Sequence, residues 1–437
     1  MTPMDHPLKI VMIGAGNRGA TYAKRLLDHP DKPEIVAVAD PREAHRLALG
    51  TRCRIPENRR YRDWRDIAAL PERIADAVVI ATPDNAHTAP AIAFANRGYH
   101  LLLEKPMAPT LAECENIVAA VKRNHVLLGV CHVLRYTPYF QKIKAVIDSG
   151  AIGDIVTVQH LESVVYWHQA HSYVRGNWRN EAESSPMLLA KSCHDIDILS
   201  FLIGRNCLQV GSFGSLKHFN AQSRPAGGAG RCLDCKIEAQ CPYSAVKIYW
   251  RDRAAKRRFG WPVDIITPDL TEHGVFEALR NGPYGRCVYA CDNDVVDHQV
   301  VMLRFADGVT ADFTMTAFTS LEGKRATTIC GTHGQIIGDG TLIHVHRYLD
   351  DSCDTIDIQH SATVDINDGH GGGDGGIVNS FLQALRSGNP DALISGPDTT
   401  LESHRIVFAA EQARRENRLV NLSEMILPPA KHQLTPR

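Results

Sequence analysis

The chain has 437 residues, 44% hydrophobic and 22% charged, with a formal net charge of −1. That length accommodates two or three domains with substantial cores, and the near-neutral, unsegregated charge speaks against a nucleic-acid partner. No apolar run is long enough to span a bilayer, and residues 1–8 lack the apolar core of a secretory signal, so a cytoplasmic protein without a membrane partner is expected.

The first third alternates strand and helix. Leu8–Ile13 predicts a strand, followed by the turn Gly14-Ala15-Gly16-Asn17-Arg18-Gly19 and a helix over Thr21–Leu27. Glu34–Ala39 is a second strand ending in Asp40, and Arg42–Ala48 a helix. Ala77–Ala81 is a strand stopped by Thr82-Pro83, Thr88–Arg97 a helix closed by Gly98, and Tyr99–Leu103 a strand. Leu111–Asn124 and Val126–Val130 complete the series. This order predicts an α/β Rossmann domain over residues 1–131, with a parallel sheet covered on both faces.

From residue 132 the pattern changes. Phe140–Ser149 is helical, Ile155–Val165 alternates as a strand, and an aromatic segment runs to Asn180. An apolar helix over Pro186–Ile203 ends at Gly204. Strands follow at Gln209–Ser215, Asp297–Phe305, Val309–Ala317, Arg325–Cys330, Gly334–Gly338 and Thr341–Val345. Strands without intervening helices predict a large mixed or antiparallel sheet in an α+β domain, 132–437, for substrate and oligomerisation. A Cys-rich insertion at about 217–296 interrupts it. Ile377–Arg386 and Thr400–Glu416 are closing helices.

Gly14 permits the tight turn, Gly16 a close backbone approach to a pyrophosphate, and Gly19 close packing of helix on strand. Ala15, Asn17 and Arg18 share that loop, and the helix beyond offers free N–H groups to phosphate. Asp40 suits ribose hydroxyls and repels a 2′-phosphate, favouring NAD over NADP, although Arg42 nearby is a feature of NADP sites. Ligands of open α/β sheets lie beyond the strand ends, which places Thr82, Pro83, Asn85 and His87 near the ribose and nicotinamide. Glu104-Lys105-Pro106 ends a later strand. Lys105 is placed to hold a substrate hydroxyl, lower its pKa and stabilise an alkoxide, with Glu104 fixing the lysine or touching the cofactor.

On the helix 186–203, Lys191, His194 and Asp197 recur at a spacing of three and share a face. A buried polar cluster on an apolar helix is costly unless used. Trp167, His168, His171, Arg175 and Trp178 combine aromatic faces with hydroxyl partners, a composition suited to a polyhydroxylated ligand. His132 and Arg135 follow the last Rossmann strand and line the cleft, or Arg135 ties the domains together. The run Gly369–Gly376 is an active-site loop with His370 near substrate, or a helix lead-in capped by Asp374. Cys232-x2-Cys235-x5-Cys241 reads as a structural zinc site that staples the insertion, with Cys287 as fourth ligand and Cys291 and His218 as rivals.

Gly14–Gly19, Glu104-Lys105-Pro106, the segment Lys191–Asp197 and the tail Arg405–Val420 together resemble the Gfo/Idh/MocA oxidoreductase family over nearly the whole chain. The resemblance implies NAD(P)-dependent oxidation or reduction at a sugar or cyclitol carbon. His194 aligns with that family's catalytic histidine and is expected as general acid/base. Many members carry an aspartate four residues earlier; here that residue is Ala190, beside Lys191, so His194 and Lys191 both stand as candidate bases. The family's exposed sheet face often pairs, implying a homodimer or homotetramer. Two other readings stand beside the dehydrogenase: an NAD-dependent glycoside-cleaving enzyme acting by transient oxidation and elimination, and a non-catalytic sugar- and NAD-sensing regulator.

Overall fold

Six parallel strands form the first sheet: β1 (Lys9–Ile13), β2 (Glu34–Ala39), β3 (Arg60–Tyr61), β4 (Ala77–Ile80), β5 (His100–Leu103) and β6 (Leu128–Val130), in the order β3-β2-β1-β4-β5-β6. The computed structural model describes residues 3–320, 324–361 and 370–425. Ile13 lies beside both Ala39 and Ile80, so the glycine turn, Asp40 and Thr82 emerge on one edge of the sheet. The strand order reverses between β1 and β4, which opens a crevice at that edge.

The interior strands are apolar on both faces because both are covered. Val11, Ile13, Val78, Ile80, Leu101 and Leu103 pack on one side with residues of the helices Thr88–Asn96 and Leu111–Arg123. Ile10, Met12, Val79 and Leu102 share the other cluster with Ile377, Phe381, Leu382 and Leu385. Those last four belong to the helix Gly373–Ser387, so a segment from the far end of the chain closes one face of the N-terminal sheet.

The second sheet is mixed. Its strands are β7 (Ile155–Ser163), β8 (Cys207–Ser215), β9 (His298–Phe305), β10 (Thr310–Thr316), β11 (Arg325–Gly331), β12 (Gly334–Gly338), β13 (Leu342–Arg347), β14 (Cys353–Asp357) and β15 (Val420–Asn421). They run in the order β14-β13-β12-β11-β7-β10-β9-β8-β15, with β7 and β10 parallel and the remaining neighbours antiparallel. The inward side chains of β9 and β10 pack in one core with Ile196, Leu199, Ile406 and Ala410 from the helices Cys193–Ile203 and Pro397–Glu416. The opposite face exposes Val156, Leu208, Phe213, Val300, Met302 and Ile337. Among the described residues no helix is long and apolar enough to cross a membrane.

Three elements depart from the sequence reading. The single helix expected over 186–203 is two, Met187–Ala190 and Cys193–Ile203, broken at Lys191-Ser192. The strands β3, β14 and β15 were not expected; β3 and β15 are two residues each and exist only through pairing, as in Val38↔Arg60 and Val420↔Val210. The insertion, expected to need a metal staple, has a core of its own, in which Phe219, Tyr243, Tyr249, Val275, Leu279 and Tyr289 pack with Trp167 and Val174.

Candidate functional site

The glycine turn has the shape a dinucleotide requires. Gly14 has φ +91°, and a Cβ there would lie 2.4 Å from the Ala81 carbonyl oxygen. A Cβ on Gly19 would lie 2.0 Å from the Gly14 carbonyl, so helix and turn touch backbone to backbone. The helix Asn17–Asp28 starts directly after Gly16, and no side chain caps it. Its first N–H groups and dipole are therefore available to an anion. Asp40 is buried and accepts from the Ala15 N–H at 2.7 Å, the Arg42 N–H at 2.9 Å and the Arg42 guanidinium at 3.0 and 3.1 Å. Burial pushes this carboxyl up, but the Arg42 and Ala15 hydrogen bonds outweigh it and hold the group below the usual carboxylate range.

Arg18 is committed elsewhere than to phosphate. Its guanidinium donates to Glu104 Oε1 at 2.5 Å, to the Tyr22 hydroxyl at 2.5 Å, and to both Asp374 oxygens at 2.7 and 3.1 Å. Tyr22 donates in turn to Glu104 at 2.8 Å, and the second Glu104 oxygen accepts the Lys105 N–H at 2.8 Å. Glu104 thus braces the turn that carries Lys105, and Asp374 braces Arg18 instead of capping its own helix, whose N-cap is Gly372. His87, expected beside the cofactor, is fully buried and bridges the carbonyls of Pro106 and Thr82 at 2.8 and 2.9 Å. The Thr82 hydroxyl donates to Ala86 O at 3.0 Å, Pro83 is exposed, and exposed Asn85 donates to Glu183 O at 3.1 Å.

Lys105 follows β5 and precedes a cis bond to Pro106. Its Nζ donates to the Ala190 carbonyl at 2.7 Å, reaching the break between the two helices of the second domain. Lys191, at that break, points its amine to Glu162 Oε1 at 2.9 Å. Glu162 faces Arg325 at 3.0 Å, Arg325 donates to Asp195 at 2.5 Å, and His160 lies 3.2 Å from Asp195. These four partners were missed by sequence reasoning; the one available signal was that the inward positions of β7 carry His160 and Glu162 where apolar residues are normal.

The His194 ring lies edge-on to His132 with centroids 5.7 Å apart and 6.1 Å from the His370 ring. Burial first, then the charge of Lys105, pushes the His194 imidazole well below its ordinary pKa. His168 is pushed the same way by burial and then Lys191. Burial also lowers His370, whose ring is 3.2 Å from Asp374. Gly369 lies outside the described residues. Lys105 and Lys191 thus act electrostatically on three imidazoles whose pKa values all lie below the ordinary one. A neutral imidazole accepts a proton, and an ammonium donates to a developing alkoxide.

Several expected ligand residues are committed elsewhere. Arg135 makes a two-pronged pair with Asp197 at 2.6 and 2.7 Å and donates to Ile394 O at 2.6 Å, which is the tying role. His132 is fully buried, 3.7 Å from Asp197, with both ring nitrogens unpartnered among the described residues, and burial takes its pKa down to about 4. His171 bonds the Tyr249 hydroxyl at 2.8 Å and stacks on Tyr284 at 5.0 Å, inside the insertion's core. Trp178 donates its indole N–H to buried Asp84 at 3.2 Å. Trp167 is mostly buried and lies 5.0 Å from Trp261 of the insertion.

Arg175 sits among the cysteines. It donates to Arg286 O at 2.7 Å, Tyr243 O at 2.8 Å and Cys232 Sγ at 3.6 Å. Cys232, Cys235, Cys241 and Cys287 line one small cavity with it. Burial raises the Cys241 and Cys287 thiols, which favours S–H over thiolate. Among the described residues no group of three or more His, Cys, Asp or Glu is placed to hold a metal ion, so the zinc expectation is not carried by the structure. Neither rival ligand completes a site: Cys291 bonds Cys287 O at 3.3 Å, and His218 the Tyr289 hydroxyl at 3.0 Å. The Arg175 guanidinium shares that cavity, and the insertion packs on an aromatic core of its own.

Comparison with known proteins matches both halves of the chain to one family. Residues 8–132 match the oxidoreductase family's NAD-binding Rossmann fold, and residues 144–422 its C-terminal alpha/beta domain. The Bacillus subtilis protein YteT is 25% identical over 269 residues, 60% of this chain and 59% of that one. Inositol 2-dehydrogenase of Salmonella typhimurium is 26% identical over 200 residues, 46% of this chain and 55% of that one. The chain thus spans little more than half the length of these relatives. A levoglucosan dehydrogenase solved with NADH and levoglucosan superposes with a TM-score of 0.68 at 20% identity, covering 95% of this chain and 99% of that one, a likeness of fold. With family matches covering most of its length, this chain belongs to the Gfo/Idh/MocA family of NAD-binding oxidoreductases.

Proposed function

We propose that the protein is an NAD-dependent dehydrogenase that oxidises a hydroxyl of a sugar or cyclitol. The observation that carries this reading is that Lys105, at the strand edge that bears the glycine turn, reaches the Ala190 carbonyl four residues before the buried His194, whose imidazole its charge helps to depress. NAD, when bound, supplies the hydride acceptor. Lys105 donates to the reacting hydroxyl oxygen and stabilises its negative charge as the C–H bond breaks. His194 takes the hydroxyl proton. Lys191 is the weaker candidate base, because an ammonium ion-paired to a carboxylate has no lone pair to offer. Lys191 instead orients a second hydroxyl.

Gly14–Gly19 and the uncapped helix behind them would hold the pyrophosphate, and Asp40 would meet the adenosine ribose. An ionised Asp40 repels a 2′-phosphate, which favours NAD over NADP. Substrate class is supported by relatives named for inositol and levoglucosan. The apolar outer face of the second sheet fits a second copy of the chain in a homodimer or homotetramer. Light scattering checks this; a monomer at working concentration counts against it.

NADH absorbance with inositols, aldoses and glycosides tests the reaction. We expect Lys105→Ala to lower kcat/KM by about 100- to 10,000-fold while the protein stays folded. Retained turnover in the variant rejects Lys105 as the group that holds the hydroxyl. Release of an aglycone without NADH accumulation replaces the reading with oxidation and elimination. Tight sugar and NAD binding with no turnover replaces it with a sensor.

A further inference from the structure

A second cavity, of about 390 Å³, opens between the insertion and the segment that carries His168. Its walls come from residues 166–167 and 247–261, with nothing from the N-terminal sheet, so it is separate from the dinucleotide crevice. The wall has two components. One is aromatic: Trp167 and Trp261 have ring centroids 5.0 Å apart. The other is cationic: Lys247, Arg253, Lys256 and Arg258 converge on the space, against the single carboxylate Asp252.

The cations are unequally engaged. Lys247 pairs with Asp252 at 3.0 Å and donates to the Tyr166 hydroxyl at 3.2 Å. The Arg253 guanidinium lies 4.3 Å over the Trp167 ring. Lys256 and Arg258 are exposed, and among the described residues their side chains have no hydrogen-bond or ion-pair partner. Asp252 is matched by Lys247, so Lys256 and Arg258 give the cavity an excess positive charge beside an apolar platform.

One expected ligand residue, His168, packs on the wall of this cavity. The His168 ring lies 5.0 Å from Trp261, while its pKa registers the charges of Lys191 and Lys105. Aromatic faces pack on the C–H faces of sugar rings, and guanidinium and ammonium groups bind carboxylate or phosphate.

We infer that this cavity is a subsite for the anionic residue of an acidic saccharide. The inference rests on the dehydrogenase reading for the saccharide class but not for the cavity's preference for an anion. A carboxylate and a phosphate share the required chemistry, and the test separates them.

Calorimetry on the full chain with NADH, which blocks turnover, measures binding of a glucuronosyl-glucose disaccharide, its neutral glucosyl-glucose counterpart, and glucose 6-phosphate. The same titrations are run on a variant carrying Lys256→Glu and Arg258→Glu, both exposed positions whose exchange leaves the core intact. We expect the acidic disaccharide to bind at least about tenfold more tightly than the neutral one, the scale of one charge-assisted hydrogen bond. Added salt and the double variant both erase that ratio. Preference for the phosphate over the uronate identifies a phosphorylated sugar as the occupant. Equal binding of acidic and neutral compounds, an unchanged ratio in the variant, or no binding of any of the three overturns the subsite. NADH formation is assayed separately with NAD, so failure of the dehydrogenase reading leaves the binding ratio interpretable.

Discussion

Replacing Arg18 with alanine removes the one guanidinium shared by Glu104 and Asp374, whose side chains are 6% and 0% exposed. Both carboxylates then stay dry without their main cation. Breaking a buried pair by removing one partner costs about 3–5 kcal/mol. The Tyr22 hydroxyl remains on Glu104 at 2.8 Å and His370 stays 3.2 Å from Asp374, which places the expected loss near the lower bound. Burial pushes both carboxyls up. In the intact protein Arg18 with Lys105 overcomes this at Glu104, and His370 with Arg18 overcomes it at Asp374, so both folded values lie below the usual range. Their stabilisation is therefore present above the unfolded pKa of about 4 and lost as pH falls through the depressed folded values. Without Arg18 the burial effect is uncompensated and the sign reverses: the penalty is full at neutral pH and relieved as pH falls through a raised folded value. Urea unfolding of both proteins at pH 7 and at about pH 5 reads this difference. A loss under about 1 kcal/mol at pH 7, the scale of a surface pair, or a loss equal at both pH values, would refute the reasoning.

Two further outcomes test the site. Because burial and Lys105 depress His194, the acid limb of kcat/KM against pH is expected below the ordinary histidine value of about 6.5, and His194→Asn should remove that limb with about a 100- to 10,000-fold loss of rate. A limb above that value counts against His194 as the base. Asp40→Ser removes an ionised acceptor, so KM for NAD should rise about tenfold and discrimination against NADP should narrow; an unaltered NAD-to-NADP ratio of kcat/KM rejects Asp40 as the ribose partner.

Local pattern determined the skeleton of this protein. β1, β4 and β5 are apolar on both faces because helices cover both, and that run of buried residues is visible without any partner. The glycine spacing likewise encodes a turn whose backbone leaves no room for a Cβ at Gly14 or Gly19. Lys105 at the end of β5 follows from strand order alone. Tertiary structure decided what the polar side chains do. Arg18 finds Asp374 across 356 positions, Arg135 finds Asp197, Lys191 finds Glu162, and Arg175 turns into the cysteine cavity. The insertion has an aromatic core of its own, which cysteine spacing did not reveal. The physical reason is the range of the forces' signatures. Hydrophobic periodicity and backbone sterics act between near neighbours in the chain and leave a pattern there. A buried charge must find a counter-charge wherever the fold supplies one, and that partner leaves no mark at a fixed spacing.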